Sequence, residues 1–378
     1  MKLTNSRKLI GSIEMLLAAI IIVFAIVKAP DAPAPKPADT TVEATTQAPE
    51  PDSQTQPETT TEAPKPSTTA FAQTGDYQIT NSIIVFPDSA MEMYSIAKTR
   101  LGEYAATINT FAAKVPDKKV YCMLVPTRIA FYGPEEYRTG SHSAPDGINI
   151  AYSQLSPSVT SIDAYSALLQ HTDDYIYFRT DHHWTARGAY YAYSAFCEKN
   201  GLSHAPLSAY QSGRLDNFVG TMYRYTNSEN LKNHPDYVEY FMPIVEASGE
   251  FYSTPDMSDG KPLRIISTNI TDTSSKYMCF IQGDKPLERI VTSNQNGKKI
   301  LVIKESYGNA MVPFLLENYN EVYVLDPRQD GVKDMNLTEF VNNNGINEIL
   351  FINYLMAPSN SKYMTCLLYT SPSPRDRV

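Results

Sequence analysis

The chain has 378 residues, of which 42% are hydrophobic, and a formal charge of −9. This length allows one large domain or two smaller ones, and the hydrophobic share is ordinary for a globular protein. The acidic balance and the lack of a basic stripe argue against nucleic acid as a partner. The charge is uneven, since residues 29–70 hold seven acidic residues and two lysines and so carry −5 of the −9.

Residues 1–28 are predicted to form a membrane anchor. Three basic residues precede a mostly apolar run at 9–27, and about 19 residues suffice to cross a hydrocarbon core of roughly 30 Å. The basic flank predicts a cytoplasmic N-terminus, with the bulk of the chain extracytoplasmic. A cleaved signal peptide is the alternative, but Ala32-Pro33-Ala34 is a poor cleavage site because of its proline. We therefore expect a single-pass protein of the cell membrane.

Residues 29–75 are predicted to be a disordered linker rich in proline, threonine and glutamate. Almost no large apolar side chains occur there, so the segment cannot bury enough surface to fold. Frequent prolines favour extended polyproline II structure, which suits a tether between a membrane and a folded domain. We assign no chemistry to this segment.

Residues 76–365 are predicted to form the folded domain. A helix is expected from the N-cap Thr185 to about Asn200, with Gly201 as its left-handed C-terminal residue. Other predicted helices are 89–115 and 161–169, and predicted strands are 78–87, 120–125, 175–178, 237–241, 263–267, 277–281 and 288–291.

The last part of the domain alternates strands and helices. Strands are predicted at 299–303, 321–325 and 346–353, and helices at 307–318 and 337–343, although Pro313 lies inside the first of these helices. Such a β-α-β-α-β series indicates a parallel sheet in a three-layer α/β fold.

Asp181, His182 and His183 lie where the predicted strand 175–178 gives way to the helix that Thr185 begins. In an extended backbone alternate residues point the same way, so Asp181 and His183 would share a face while His182 points elsewhere. A carboxylate beside an imidazole orients it and stabilises its protonated form, as the general base of a serine requires. The equally open alternative is a structural histidine pair near the domain surface.

Ser306 is the candidate nucleophile. It follows a predicted strand and begins a predicted helix, where nucleophiles are often placed and where free N–H groups suit an oxyanion. The surrounding sequence is not G-x-S-x-G. The alternative is that Ser306 is only the N-cap of its helix.

The four cysteines, Cys122, Cys197, Cys279 and Cys366, have no metal-site spacing, so we predict no metal and no cofactor. Residues 366–378 resemble a translated sequencing adapter and are interpreted as an artefact. They are excluded from the fold prediction, and the native C-terminus is expected to be missing.

The run Thr180-Asp181-His182-His183-Trp184-Thr185 resembles the signature of the DHHW protein family. The resemblance extends over most of residues 80–365. It includes Phe218-Val219-Gly220-Thr221-Met222-Tyr223, Lys304-Glu305-Ser306-Tyr307, Pro313-Phe314-Leu315 and Val324-Leu325-Asp326-Pro327-Arg328. This family is in turn similar to the SGNH-hydrolase-like domains of alginate O-acetyltransferases, which have an early Asp-x-His pair and a late serine.

The resemblance implies a three-layer α/β SGNH-hydrolase-like domain with a mostly parallel sheet. It also implies that Asp181 is the orienting acid, His183 the base and Ser306 the nucleophile. The chain departs from the family pattern at two positions, with Glu305 in place of the usual aspartate and Lys304 in place of glycine. We expect the bulky Lys304 to remove an oxyanion contact.

Two functions follow as hypotheses. The first is an extracytoplasmic O-acetyltransferase or acetylesterase that acts on cell-surface polysaccharide through a Ser-His-Asp triad. Transfer would require a membrane-bound acyl-exporting partner. The predicted substrate-binding residues are Arg128, Trp184, Tyr307 and Asn309. The second hypothesis is a noncatalytic glycan-binding protein whose tyrosines and Trp184 stack on sugars, and a metalloenzyme is a distant third.

Overall fold

The computed structural model describes residues 73–333 and 335–369. Its thirteen strands within these ranges are β1 Gln78–Thr80, β2 Ile83–Val85, β3 Ala90–Glu92, β4 Lys119–Val125, β5 Val159–Ser161, β6 Ser212–Phe218, β7 Asp236–Phe241, β8 Ala247–Tyr252, β9 Lys261–Leu263, β10 Leu287–Thr292, β11 Lys299–Lys304, β12 Glu321–Leu325 and β13 Glu348–Tyr354.

The same ranges contain ten α-helices, interspersed with short 3-10 turns. The α-helices are α1 Lys98–Ala112, α2 Ile129–Tyr132, α3 Ala144–Tyr152, α4 Ala164–Leu169, α5 Ala186–Asn200, α6 Thr221–Thr226, α7 Glu229–Asn233, α8 Val312–Leu315, α9 Leu337–Asn343 and α10 Ser361–Tyr369.

The central sheet has eight strands in the order β5-β4-β13-β11-β12-β10-β8-β9. The first five are parallel, and the pairings from β12 through β10 and β8 to β9 are antiparallel. The predicted parallel arrangement of the last three strands is confirmed. The sheet as a whole is mixed, because three antiparallel strands extend it beyond β12.

Helices cover both faces of the parallel half. Phe351 of β13 packs against Phe111 of α1, and its register partner on β4 is Cys122. Tyr121, the preceding residue of β4, packs against Phe196 of α5. Because consecutive side chains of a strand point to opposite faces, α1 and α5 lie on opposite sides of the sheet. This confirms three layers, and it explains why strands such as β12 are buried along their whole length.

The helix α5 is confirmed at both of its ends. The side chain of Thr185 accepts a hydrogen bond from the N–H of Gly188, and Gly201 ends the helix with a φ of 66°. Both signals are local to the sequence, so tertiary contacts were not needed to predict them.

Several predicted elements are wrong. The predicted helix 89–115 begins with β3, whose Met91 pairs with Ile84 of β2, and α1 starts only at Lys98. The predicted strand 277–281 is instead a 3-10 turn at Lys276–Cys279, after which the chain takes left-handed conformations at Ile281 and Gln282. Residues 175–178 form an isolated bridge between Tyr177 and Trp184 and do not join the central sheet.

The predicted helix 307–318 is divided into a 3-10 turn, Ser306–Ala310, and the short helix α8. Pro313 is the second residue of α8. The missing N–H of a proline removes no hydrogen bond at that position, so the proline helps to start a helix there instead of interrupting one.

The predicted anchor at 1–28 and nearly all of the linker at 29–75 lie outside the described residues. Within residues 73–333 and 335–369, no helix has the length and apolar character needed to span a bilayer. At the other end, α10 runs across the predicted boundary at Cys366, and Leu367 is buried.

Candidate active site

The loop that holds Asp181 and His183 is fixed by a buried carboxylate, Asp236 at the start of β7. This side chain accepts hydrogen bonds from the backbone N–H groups of Arg179 and Thr180 at distances of 2.7 to 3.2 Å. It also accepts hydrogen bonds from the hydroxyl groups of Thr180 and Tyr175, at 2.7 and 2.6 Å respectively. With its polar groups satisfied in this way, the segment 179–183 bends instead of continuing as a strand.

Asp181, His183 and Ser306 form a continuous hydrogen-bonded series. Nδ1 of His183 lies 2.6 Å from Oδ1 of Asp181, and Nε2 lies 2.7 Å from Oγ of Ser306, 123 residues further along the chain. Because the carboxylate is an acceptor, we assign the imidazole proton to Nδ1, which leaves Nε2 to accept the serine hydroxyl. This is the ground-state geometry of a nucleophile paired with its general base.

The carboxylate of Asp181 is fixed from its other side by Thr221. Its Oδ2 accepts the N–H of Thr221 at 2.8 Å and the hydroxyl at 2.9 Å. Gly220 makes this close approach possible, since a Cβ at that position would lie 2.3 Å from the Cβ of Asp181. Burial alone would raise the pKa of Asp181, but the imidazoles of His183 and His182 and these hydrogen bonds hold the pKa well below its ordinary value. Asp181 therefore remains ionised.

His182 does not point away from His183, as an extended backbone would require. The two ring centroids lie 3.8 Å apart, and Nδ1 of His182 lies 2.6 Å from Oγ1 of Thr221. The reason is the bend at 179–183, which removes the alternation of side chains. Burial and the neighbouring His183 lower the pKa of His182.

Tyr277 completes the surroundings of His183. Its ring stacks on the imidazole with centroids 3.9 Å apart and planes inclined by 11°, and its hydroxyl donates to the carbonyl oxygen of Ser306. Tyr277 therefore fixes both the base and the nucleophile. Sequence reasoning missed it because the apolar run around it was read as a strand.

The turn that begins at Ser306 offers fewer free N–H groups than the predicted helix would. The two carboxylate oxygens of Glu305 accept the N–H groups of Tyr307 at 3.0 Å and of Tyr354 at 2.9 Å. The carbonyl oxygen of Glu305 accepts the N–H of Gly308. In the described part of the chain, the Ser306 N–H is the one donor of this turn that stays available to an oxyanion. The longer side chain of Glu305 thus ties the turn to the end of β13.

Lys304 does not enter the site. Its side chain is fully buried, and Nζ lies 2.9 Å from Oδ1 of Asp284. Gly308 makes room for it, since a Cβ at Gly308 would lie 2.6 Å from the Cβ of Lys304. Lys304 is not among the residues that line the cavity beside Ser306, so its side chain does not obstruct that cavity.

A cavity of about 230 Å³ lies beside Ser306. Its other lining residues are His182, Tyr225, Glu305, Arg328, Tyr354, Ala357, Asn360 and Tyr363. None of them was predicted to bind substrate. Three of them, His182, Glu305 and Arg328, belong to sequence blocks that carry the family resemblance.

The four predicted substrate-binding residues lie outside this lining. Arg128 packs over the ring of Tyr132, with Cζ 4.6 Å from the ring centroid. Trp184 is fully buried and donates from Nε1 to the carbonyl oxygen of Tyr307, whose own hydroxyl donates to the carbonyl oxygen of His182. Asn309 donates to Asp284. Trp184, Tyr307 and Asn309 thus support neighbouring residues of the site from outside the cavity.

One group of side chains has the composition of a metal site. Asp181, His182 and His183 offer ligand atoms that all lie within 4.8 Å of one another. A metal ion would have to compete with hydrogen bonds, because both ring nitrogens of His183 and Nδ1 of His182 are already engaged.

Ser306 follows β11 at the carboxyl edge of the parallel strands, where α/β proteins place their sites. A serine, a histidine and an aspartate in series at this edge are typical of serine hydrolases and acyltransferases. The chain belongs to the DHHW family, since the family model described as "DHHW protein" matches residues 53–325. The match includes Ser306 and ends before Arg328.

One solved structure of a family member supports the assignment, and two others are similar at lower identity. A DHHW family protein from Eubacterium siraeum DSM 15702 is 32% identical, with a TM-score of 0.70, and the alignment covers 79% of this chain and 99% of that protein. Bacillus cereus PatB1 with a sulfonyl adduct is 18% identical, with a TM-score of 0.60 and coverages of 76% and 98%. The O-acetyltransferase domain of Pseudomonas putida AlgJ is 14% identical, with a TM-score of 0.41 and coverages of 75% and 90%. No curated protein matches the sequence.

Proposed function

We propose that this chain is an extracytoplasmic acyl-ester enzyme, an O-acetyltransferase or acetylesterase, that acts on cell-surface polysaccharide. The observation that carries the proposal is the hydrogen-bonded series from Asp181 through His183 to Ser306. The buried Asp181 remains charged and can stabilise a protonated His183, which gives the series the electrostatics of a catalytic triad.

The reaction begins with attack of Ser306 Oγ on the carbonyl carbon of an acetyl ester. Nε2 of His183 takes the hydroxyl proton, and the carboxylate of Asp181 stabilises the imidazolium. When the tetrahedral intermediate collapses, the C–O bond to the alcohol breaks and His183 returns the proton to the leaving oxygen. An acetyl-serine enzyme remains.

The second half of the reaction reverses these steps with a different nucleophile. His183 takes a proton from a sugar hydroxyl or from water, whose oxygen attacks the acetyl carbon, and Ser306 leaves as the free alcohol. A sugar acceptor makes the enzyme a transferase, and water makes it an esterase.

The size of the cavity favours a short acyl group. About 230 Å³ is below the roughly 300 to 1,000 Å³ of typical ligand pockets. The acetyl group would occupy the cavity, and the glycan would lie across its mouth. The proposal keeps the membrane anchor at 1–28 and the linker at 29–75, which would place the domain near an acyl-exporting membrane protein.

Hydrolysis of an aryl acetate by the purified protein tests the proposal. We expect Ser306→Ala and His183→Ala each to reduce kcat by about 10⁴-fold or more, because members of a triad act as a unit. Ser158→Ala and His234→Ala are matched controls on the exposed surface and should retain full activity. Acetylated cell-wall glycan as donor, with and without acceptor, would then separate transfer from hydrolysis.

The glycan-binding alternative is weakened by the burial of Trp184, whose ring has no exposed face for a sugar. That alternative would replace the enzyme if the unmodified protein bound acetylated glycan but hydrolysed neither the glycan nor the aryl acetate.

A further inference from the structure

A partly buried ionic network lies beside the nucleophile. The carboxylate of Asp284 accepts two charged hydrogen bonds. Its Oδ1 lies 2.9 Å from Nζ of Lys304, and its Oδ2 lies 2.6 Å from Nη2 of Arg328. Asn309 adds a third hydrogen bond to Oδ1 at 2.9 Å. Asp284 thus links Lys304 and Asn309, which lie on either side of Ser306 in the sequence, to Arg328 in the cavity wall.

The loop that delivers Asp284 has an unusual backbone. The three residues before it, Ile281, Gln282 and Gly283, all have positive φ, with values of 46°, 56° and 78°. A β-branched residue such as Ile281 is a genuine outlier in this region. Ile281 is fully buried, and its N–H bonds to the carbonyl oxygen of Ile265, so surrounding contacts enforce the conformation. Strain of this kind persists where a precise position matters for function.

Two acids hold Arg328 in one orientation. Nε donates to Asp326 at 2.9 Å, and Nη2 donates to both Asp326 and Asp284 at 2.6 Å. Since the guanidinium is planar, these bonds fix the whole group. Nη1 is the one nitrogen of Arg328 without a hydrogen bond among the described residues, and Arg328 lines the cavity beside Ser306.

The charges of the network suggest what Nη1 does. Asp284 and Asp326 balance Lys304 and Arg328, so the group has no excess positive charge with which to attract an anionic ligand. What remains is a rigid hydrogen-bond donor on a residue that lines the cavity. The site needs such a donor, because Glu305 engages the N–H groups of Tyr307 and Tyr354 and leaves the Ser306 N–H alone to face an oxyanion.

We propose that Arg328 contacts the substrate, with Nη1 donating to the acyl carbonyl oxygen as that oxygen becomes an oxyanion beside the Ser306 N–H. Asp284 is a positioning residue that fixes Arg328, and Lys304 is a positioning residue that fixes Asp284. This inference rests on the proposed acyl-ester chemistry. Preorganised donors of this type act in the transition state more than in the ground state.

Steady-state hydrolysis of an aryl acetate tests the assignment, since this substrate has no glycan. Removal of one oxyanion donor lowers kcat by about 10²- to 10³-fold in other enzymes, so we expect this loss in Arg328→Ala with little change in KM. Arg328→Lys keeps the charge but not the planar fork and should lose a similar amount. Asp284→Asn should lose about 10-fold and Lys304→Met less, because both act through Arg328.

Chemical rescue separates a substrate contact from a purely structural role. Guanidinium ions, at concentrations far below those that unfold proteins, should restore activity to Arg328→Ala. They should not restore it to Ser306→Ala or stimulate Arg289→Ala, a control in which the lost arginine is paired with Glu321 away from the site. Thermal unfolding of each variant identifies any that fail to fold. If Arg328→Ala does not fold, the kcat of Arg328→Lys decides the result.

Three outcomes would overturn the inference. Full activity of Arg328→Lys would show that charge alone suffices. An unchanged kcat in Arg328→Ala with a raised KM for glycan would make Arg328 a glycan contact. A wild-type rate no higher than that of Ser306→Ala, with no labelling of Ser306 by a sulfonyl fluoride, would refute the acyl-ester function and the inference together.

Discussion

The two parts of the candidate site are held in place by different interactions. The loop with Asp181 and His183 is fixed mainly by hydrogen bonds from its own backbone and side chains to one buried carboxylate, Asp236 of β7. The turn with Ser306 is fixed by several charged groups, which include Glu305 and the ionic network behind it. The difference indicates that the histidine part depends on one acceptor shared by several donors, whereas the serine part depends on charges spread over several residues.

The largest effect is expected in the histidine part. Asp181→Asn should lower kcat by about 10³- to 10⁴-fold, because an amide can favour the wrong tautomer of His183. Stability should change much less, since the amide oxygen can still accept from Thr221. Aryl acetate kinetics and thermal unfolding of the same preparation check both statements. A loss smaller than about 10-fold would show that Asp181 is not the orienting acid.

A second change tests the anchor of the loop. Asp236→Ala should lower the free energy of unfolding by about 3 to 5 kcal/mol, since several buried donors lose their acceptor together. Denaturant unfolding measures this loss. Glu305→Gln is the matched change in the serine part, and it should cost about 1 to 2 kcal/mol because one oxygen acceptor remains. Equal losses in both variants would contradict the contrast between the two parts.

A third change separates activity from folding. Gly220→Ala should reduce kcat by about 10²-fold, because the added Cβ must displace the Asp181 carboxylate by an ångström or so. Gly102→Ala is the control in helix α1, where the new methyl group would meet only the flexible end of Gln154. The control should keep full activity. Normal activity in Gly220→Ala would mean that Asp181 need not lie this close to Thr221.

The last prediction concerns pH and Glu288 of β10, a buried carboxyl group close to Lys304. Burial raises the pKa of Glu288 to about 8, although Lys304 and Lys285 oppose the shift. A carboxyl group with a raised pKa binds its proton more tightly in the folded state. Its contribution to stability is therefore fully present below its unfolded pKa and is lost as pH rises toward 8. In wild type this group makes the free energy of unfolding fall by at most about 1.4 kcal/mol per pH unit between these limits, and Glu288→Gln should remove that dependence. Unfolding curves at several pH values test this, and an unchanged slope would contradict it.

The sequence predicted those parts of the molecule whose signals are local. Thr185 and Gly201 mark the ends of α5 through their own side chain and backbone, and the alternation after residue 299 identified three parallel strands. The meeting of His183 with Ser306 was expected from the family resemblance. The loop around His183 does not follow a strand of the central sheet, so its predicted place at the junction of a strand 175–178 with a helix was wrong.

The residues that were missed act through contacts that no local pattern encodes. Tyr277 stacks on His183 from 94 positions away, and the segment around it has the composition of a strand. Arg328 reaches the cavity only because Asp284 and Asp326, from different loops, hold it there. Trp184 was overvalued for the opposite reason, since an aromatic residue beside a histidine gives no indication of whether its ring is buried or exposed.

The close approach of Lys304 and Gly308 restricts how this site can evolve. The clash at Gly308 involves the Cβ of residue 304, which every residue type except glycine has. A lineage with glycine at 304 is free to vary position 308, but a lineage that has acquired a side chain at 304 must keep glycine at 308. Substitutions at the two positions are therefore epistatic, and their order matters. The arrival of Lys304 would have made the glycine two residues beyond the serine indispensable.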